Sequence, residues 1–285
     1  MSFSPAAHHP GGPRHVTIIE PLQRWWRIDW SELWANRELL FYLVWRDIKV
    51  RYKQTALGFI WALVQPLSAV VVFSVFFGRL ARIPSGDMPY PLFAYTGTLL
   101  WQFFARSLNE ASTSLAANER LLTKVYFPRL FLSASVVLAA VVDLFVALVL
   151  AVPFVIYYGY APGWSVLLIP PVVFLVMLTA FGIGLIFSSF DVRYRDVRYV
   201  LPFIIQVWMF ASPVVYPSAL VPERWRSLFA LNPMAGFIEV FRSGLVGSYH
   251  VPWSMLIVSC VAAVSFCVLG LFVFHGTERR IADVV

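Results

Sequence analysis

The sequence predicts an all-α integral membrane protein with six transmembrane helices per protomer, and three observations support this fold class. First, 60% of the 285 residues are hydrophobic and 13% are charged, whereas soluble domains carry about 25% charged residues. Second, the chain has six apolar runs of roughly 20 residues, the length that a helix needs to cross about 30 Å of hydrocarbon. Third, its Lys and Arg residues lie mostly on one side of these runs. Such a chain has no room for a large soluble domain.

The six predicted spans lie between residues 57 and 275. They cover about residues 57–80, 91–108, 130–157, 166–190, 200–221 and 253–274. The third run is the most uniformly apolar. The fifth contains Pro213 and Pro217, and because proline removes a helical hydrogen bond, we expect this span to break near Pro213.

The distribution of positive charge predicts the orientation. With an even number of spans, both termini lie on one side, and 17 of the 22 Lys and Arg residues fall on that side. Because cytoplasmic segments carry the excess of Lys and Arg, both termini are predicted to be cytoplasmic. The net charge of +7 is explained in this way, and no recognition motif points to nucleic acid.

Residues 31–56 are apolar but studded with charges, and we predict an amphipathic helix that lies in the cytoplasmic interface. Its polar residues share one stripe when the segment is wound as a helix. They are Glu38, Tyr42, Arg46, Lys49 and Lys53. This helix divides a cytoplasmic tail, 1–30, from the membrane domain, 57–275, and a short cytoplasmic tail, 276–285, ends the chain.

Residues 222–252 precede the last span and are only moderately polar. Asn232 and Pro233 form a helix-start signal, and apolar residues follow at helical spacing. We expect short re-entrant helices on the outer side, a structure that is tolerated only where protein or water satisfies the backbone.

Several chemistries have no signature in this sequence. It contains no phosphate loop for ATP and no cluster of Cys and His for zinc. Cys260 and Cys267 lie in an apolar run and are predicted to be buried small side chains. We therefore expect no catalytic residue, no metal site and no cofactor bound by this chain.

Asp143 is an ionisable residue near the middle of the third span. A carboxylate at that depth costs several kcal/mol unless it is paired or protonated. It is either a proton relay or substrate contact, or a structural contact to another helix or a wet cavity. A relay needs partners, and none lies nearby in the sequence.

Two predicted cytoplasmic loops carry alternating charges. Residues 109–128 combine Ser and Thr with a short amphipathic stretch, and residues 189–199 alternate Arg with Asp. Each loop is either a solvated loop whose cations fix the topology or a docking surface for a cytoplasmic partner.

Five motifs in order resemble the type-2 ABC transporter permeases of the polysaccharide and O-antigen export family, which serve lipopolysaccharide, capsule or teichoic acid. The resemblance covers about residues 33–275. The motifs are WRDIKVRYKQTALGFIWALVQP at 45–66, NERLLTKVYFPR at 118–129, DVRYRDV at 191–197, SPVVY at 212–216 and LNPM at 231–234. The tail before residue 30 departs from the short form of the family.

The resemblance implies a homodimer in the bacterial inner membrane, bound to two copies of a nucleotide-binding ABC ATPase that uses ATP and Mg. The chain would be a transport permease and not an enzyme. Its substrate would be a polysaccharide linked to a lipid of the undecaprenyl-diphosphate type. The implied ATPase-coupling residues are Asn118, Glu119, Arg120, Lys124, Asp191, Arg193, Tyr194, Arg195, Asp196 and Arg198.

The helix before the first span would then be a gate helix. Its cations lie at headgroup depth, where each gains about 1 kcal/mol against anionic groups, so we predict a diphosphate site at Arg46, Lys49, Arg51 and Lys53. Aromatic rings that stack on sugar faces would line the translocation path. The candidates are Tyr95, Trp101, Phe103, Phe104, Trp208, Phe210 and Tyr216.

Three other functions stay open at this point. A type-2 ABC exporter for a drug or lipid would bind a small ligand. A membrane-embedded enzyme acting on lipid-linked sugars would need Asp143 and Glu239 for turnover without an ATPase. An ion-coupled carrier would need Asp143 for gradient-driven uptake.

Overall fold

The computed structural model describes residues 30–53, 60–86, 88–194, 196–247 and 250–284. Across these ranges the chain forms eleven α-helices and no strand. The helices are α1 (Trp30–Ala35), α2 (Arg37–Lys53), α3 (Ile60–Phe73), α4 (Tyr90–Ala117), α5 (Glu119–Leu122), α6 (Leu130–Tyr157), α7 (Ile169–Asp191), α8 (Val197–Phe210), α9 (Glu223–Ala230), α10 (Pro233–Leu245) and α11 (Trp253–Val284). The all-α prediction is confirmed for this part of the chain.

Three stretches of the described chain are long and apolar enough to cross a membrane. They are Leu130–Tyr157, Trp164–Asp191 and Trp253–Thr277. Two further apolar helical stretches, Val64–Leu80 and Val197–Phe210, are shorter. A helix thus lies at each of the six predicted spans, but length and hydropathy mark three of them, so the count of six stays a prediction.

Helix α4 is the central helix of the bundle and packs against α3, α6, α7 and α10. Most of its side chains are buried in protein, which explains why it can be less apolar than a helix that faces lipid. It continues to Ala117, although the sequence predicted a loop from residue 109. The hydroxyls of Ser112 and Ser114 bond to carbonyls one turn back and so stay within the helix instead of capping a new one.

Helices α7 and α11 pack at very close range through two glycines. A methyl group added to Gly182 would lie 2.6 Å from the backbone of Cys267, and one added to Gly270 would meet the backbone of Gly182. Small residues let membrane helices approach in this way, because packing between the helices replaces the missing hydrophobic driving force.

The fifth predicted span is broken, as its prolines predicted. Helix α8 ends at Phe210, and the chain turns before Pro213.

Helix α10 begins at Pro233 with Asn232 as its N-cap, whose side chain accepts a hydrogen bond from the Met234 amide at 3.0 Å. Helix α10 has 13 residues, all of them buried, and is therefore shorter than a membrane span. Helices α9 and α10 confirm that short helices precede the last span. Their re-entrant position stays a prediction.

One end of the bundle, the α5 end, has its own small apolar core. Helix α2 contributes Leu43 to it, and α5 adds the partly buried Leu121 and Leu122. The loop after α7 contributes Val192 at its rim. The buried members of this core are Leu43, Leu115, Phe127, Phe131, Leu132, Leu185 and Phe274. Both predicted cytoplasmic loops are therefore seated on the same core.

The opposite end, the α10 end, is held by different contacts. The rings of Trp164 and Trp253 stack with centroids 6.0 Å apart, and the Gly247 amide donates to the Ala161 carbonyl at 3.1 Å. Helices α9 and α10 lie beside the start of α11 at this end.

The predicted domain boundaries stay predictions. Residues 1–29 and 54–59 lie outside the described part of the chain. The predicted interfacial helix is interrupted at Asn36, which separates α1 from α2. Helix α11 continues to Val284 and so includes residues 276–284 of the predicted C-terminal tail.

Candidate functional site

A cavity of about 500 Å³ lies among helices α2, α3, α4, α6 and α8. Its wall is mixed, with apolar side chains on one part and charged and amide side chains on another. The lining residues are Arg51, Tyr52, Gln65, Pro66, Leu99, Gln102, Phe103, Ala105, Arg106, Asn109, Ala140, Asp143, Leu144, Ala147, Pro202 and Ile205. Its volume is within the range of ordinary ligand sites.

Arg51, Arg106 and Asp143 form the charged part of this wall, and with Glu110, which lies behind it, they make a network of two arginines and two carboxylates that we call the four-charge network. Arg51 on α2 pairs with Glu110 on α4 and with Asp143 on α6. Arg106 on α4 donates to Glu110 at 2.9 Å and lies 3.1 Å from Asp143. Two positive charges face two negative ones, so the network is neutral and joins three helices.

Asp143 therefore has partners that its sequence neighbours do not reveal. Besides the two arginines it accepts a hydrogen bond from the Tyr52 hydroxyl. Burial and this hydrogen bond raise the pKa of Tyr52 to about 12, so Tyr52 remains a donor across the physiological range. The structure makes Asp143 both a contact between helices and a cavity residue, the two structural alternatives that the sequence left open.

The four predicted diphosphate residues do not form one cluster. Arg51 is in the cavity, whereas Arg46 pairs with Asp47 at 2.8 Å. Lys49 lies 5.1 Å over the ring of Trp45, and Lys53 is exposed. Of these four residues, Arg51 is the one that lines the cavity. The binding of one diphosphate by all four stays a prediction.

Three of the seven predicted path aromatics lie at a cavity or a surface. Phe103 lines the cavity. Phe210, at the end of α8, is 49% exposed, and the Tyr216 hydroxyl donates to the Phe210 carbonyl at 2.9 Å. Their contact with a sugar chain stays a prediction.

The other four path aromatics pack between helices of the described chain, and Trp208 is half-buried. The Tyr95 hydroxyl donates to the carbonyl of Ala147 at 2.9 Å. The Trp208 ring packs edge-on against Phe104 and Trp101, with centroids 5.2 and 6.4 Å away. Tyr95, Trp101 and Phe104 are buried. Within one chain these rings hold helices together.

The first loop at the α5 end presents a charged turn. Asn118 is half-buried and closes α4 by donating to the Ser114 carbonyl at 2.8 Å. Glu119, Arg120 and Lys124 are exposed. The loop thus has an anchored start and an exposed, charged outer face.

The second loop is shorter than predicted and is closed by an ion pair. Asp191 is 2% exposed and accepts from Arg198 Nε at 3.0 Å, so these two residues brace the loop. Arg193 lies over the ring of Tyr194 at 5.3 Å, and both side chains are exposed, as is Asp196. The predicted Arg195 lies outside the described residues.

Sequence reasoning missed Arg106 and Glu110 as site residues. Arg106 is one of the 17 Lys and Arg residues that predict the orientation, and the sequence pattern indicates no binding role for it. The available signal was that both are ionisable, sit four residues apart and lie at or just beyond the end of a predicted span, where charged side chains tend to be functional or paired.

An apolar helical bundle that encloses a cavity with charged side chains is the arrangement expected of a membrane transporter. Residues 38–246 match the ABC-2 type transporter family, and the chain belongs to this family. The family resemblance predicted from the motifs is thereby confirmed.

Three similar proteins are named for the export or transport of a polysaccharide. The O-antigen export system permease protein RfbA of Myxococcus xanthus is 33% identical over 74% of this chain and 82% of its own length. The O-antigen export system permease protein RfbA of Klebsiella pneumoniae is 26% identical over 87% of this chain and 95% of its own length. The polysialic acid transport protein KpsM of Escherichia coli is 23% identical over 72% of this chain and 80% of its own length.

Proposed function

We propose that this chain is the transmembrane permease subunit of an ABC exporter that moves a lipid-linked polysaccharide of the O-antigen type across the inner membrane. The observation that carries the proposal is membership of the ABC-2 family across residues 38–246, together with a 33% identical O-antigen permease. Export of a drug or lipid, enzymatic turnover and ion-coupled transport have no comparable support.

The energy source in this proposal is a separate ATPase. The sequence lacks a phosphate loop, so ATP and Mg would be used by a nucleotide-binding subunit. The exposed charges of the two loops at the α5 end support docking there, because both loops rest on one apolar core. Two permease chains and two ATPase subunits make up the proposed complex.

The proposed topology has six spans, with α3, α4 and α8 crossing beside the three strongly apolar helices. Both termini and the α5 end are cytoplasmic in this arrangement, in line with the excess of Lys and Arg on that side. Helices α9 and α10 then form the re-entrant pair on the outer side. The substrate's diphosphate enters from the cytoplasmic leaflet near α2.

Deletion of the gene tests the proposal. We expect the surface polysaccharide to disappear and lipid-linked polysaccharide to accumulate inside the cell, because synthesis continues while export stops. Gel analysis of surface glycan and of lipid-extracted glycan measures both. A deletion strain with normal surface glycan and loss of a small exported molecule would contradict the proposal and favour a drug or lipid exporter.

A further inference from the structure

We propose that Arg51 and Arg106 form a two-arginine anion site for the diphosphate of the lipid-linked substrate, and that Asp143 and Glu110 occupy this site until the substrate displaces them. The inference rests on the proposed function and deepens it. It replaces the sequence-based set of four cations with a different pair, one of which, Arg106, was not predicted.

The geometry of the four-charge network supports an anion site. Arg51 reaches Asp143 with one terminal nitrogen and Glu110 with the other. Arg106 reaches the same two carboxylates, through Nη1 at 3.1 Å and Nε at 2.9 Å. Both guanidinium groups therefore converge on one pair of carboxylates. A diphosphate also offers two adjacent groups of anionic oxygens, and guanidinium forks bind carboxylate and phosphate oxygens alike.

The surroundings leave room for such a ligand. Three members of the network, Arg51, Arg106 and Asp143, line the cavity of about 500 Å³. The amide residues Gln65, Gln102 and Asn109 line the same cavity. Arg51 and Asp143 have side chains that are 14% and 13% exposed, whereas Arg106 is 39% exposed. The site is thus partly enclosed, which strengthens charge interactions, and it is accessible at Arg106.

Exchange of the anions changes which helices are joined. In the structure, Arg51 joins α2 to α6 through Asp143. When a diphosphate takes the place of the carboxylates, Arg51 is bound to the substrate and its tie to α6 is lost. Two other contacts between these helices remain: Tyr52 donates to Asp143, and Ser135 on α6 donates to Asp47 on α2. Asp143 and Glu110 compete with the substrate for the two arginines. The apparent affinity for the substrate is therefore reduced in proportion to the fraction of sites that the carboxylates leave free.

The test uses the full chain with its ATPase in nanodiscs of neutral lipid, and undecaprenyl diphosphate as the probe. We expect Asp143→Asn to tighten binding of the probe by about tenfold, because one competing charge is removed. Arg106→Gln should weaken it by about tenfold or more, the usual range for losing a charged hydrogen bond. Thermal unfolding and size-exclusion profiles establish that each variant is folded.

Asp47→Asn is the matched control. Asp47 is on the same helix as Arg51 but pairs with Arg46 and Ser135 and does not line the cavity, so binding of the probe should stay within about twofold of wild type. Tighter binding in this variant alone would place the diphosphate at Arg46 and overturn the inference.

Two further arms complete the experiment. Inorganic pyrophosphate should compete with the probe, because the two arginines bind the diphosphate group itself. Phosphatidylglycerol should leave the probe bound, and its displacement of the probe would show a site for any anionic lipid and overturn the assignment. If Asp143→Asn does not fold, Glu110→Gln replaces it, with the same expected direction. Unchanged or weaker binding of the probe in the folded carboxylate variant refutes the exchange. If the surface glycan still depends on this gene, that result leaves the proposed function standing.

Discussion

At the residue scale, Arg242 is a fully buried cation that joins three separate segments. It pairs with Glu239 at 3.1 Å, donates to the Pro213 carbonyl at 3.0 Å and lies 3.7 Å over the ring of Phe93. Glu239 in turn accepts from the Ser218 amide at 3.2 Å. The pair thereby fastens α10 to α4 and to the broken end of α8.

Replacing Arg242 with Met should lower the free energy of unfolding by about 3–5 kcal/mol, because Glu239 would be left as a buried charge without its partner. Reversible unfolding in mixed detergent micelles measures the loss. The double variant Glu239→Gln with Arg242→Met should recover part of it, since no charge then stays buried.

Arg226→Met provides the matched control for that experiment. Arg226 pairs with Glu223 at 3.6 Å at the surface, where the two side chains are 55% and 89% exposed. An exposed pair contributes about 0–1 kcal/mol, so this variant should be nearly neutral. Equal losses for Arg226 and Arg242 would contradict the structural role assigned to the buried pair.

The sequence identified part of this residue-scale chemistry. Asp143 stands out as a carboxylate in an apolar run, and Arg51 as a cation near the interface. Their contact joins residues 92 positions apart, and Arg106 reaches the same carboxylate from a third helix. No local pattern encodes such pairings, because they follow from how α2, α4 and α6 pack.

At the element scale, the contact between α7 and α11 depends on two glycines that face each other. Gly270→Ala should destabilise the bundle by about 1–3 kcal/mol, the usual cost of overpacking, because the added methyl group would lie 2.7 Å from the carbonyl carbon of Gly182. Thermal unfolding of the purified chain measures this change.

Gly276 on the same helix is the control. A methyl group added there meets nothing within 4 Å, so Gly276→Ala should be neutral or should stabilise by up to about 1 kcal/mol through its higher helix propensity. Destabilisation by Gly276→Ala as large as that by Gly270→Ala would show that close packing is not the cause.

Helix positions were predictable from the sequence to the extent that apolar runs and prolines determine them. The third span and the end of α8 before Pro213 follow directly from those signals. The extension of α4 through residues 109–117 was not predictable, because a Ser or Thr side chain can either cap a new helix or bond to a carbonyl one turn back in the same helix. Tertiary contacts of Ser112 and Ser114, both buried, favour the helix.

At the scale of the whole molecule, the two ends of the bundle differ in a way that suits a coupled transporter. The α5 end presents charged loops on a common apolar core, whereas the α10 end is closed by buried contacts and stacked tryptophans. In the proposed orientation, the ATPase binds at the first end and the polysaccharide leaves at the second.

Arg193→Glu should reduce permease-stimulated ATP hydrolysis by about tenfold or more, because a reversed charge at a docking surface typically costs several kcal/mol. Arg224→Glu is the matched control. Each arginine lies over an adjacent ring, Arg193 over Tyr194 at 5.3 Å and Arg224 over Trp225 at 5.8 Å, but at opposite ends of the bundle. Stimulation that survives Arg193→Glu and is lost with Arg224→Glu would contradict the proposed docking end.

In the proposed function, this chain exports a lipid-linked polysaccharide with energy from a separate ATPase. Its most direct test is reconstitution of the chain and its ATPase in liposomes, with lipid-linked polysaccharide in the leaflet that faces the ATPase. We measure the fraction of glycan that a glycosidase in the opposite compartment can cleave. We expect ATP and Mg to raise this fraction, and omission of the ATPase to abolish the rise. ATP hydrolysis that leaves the protected glycan uncleaved would contradict it.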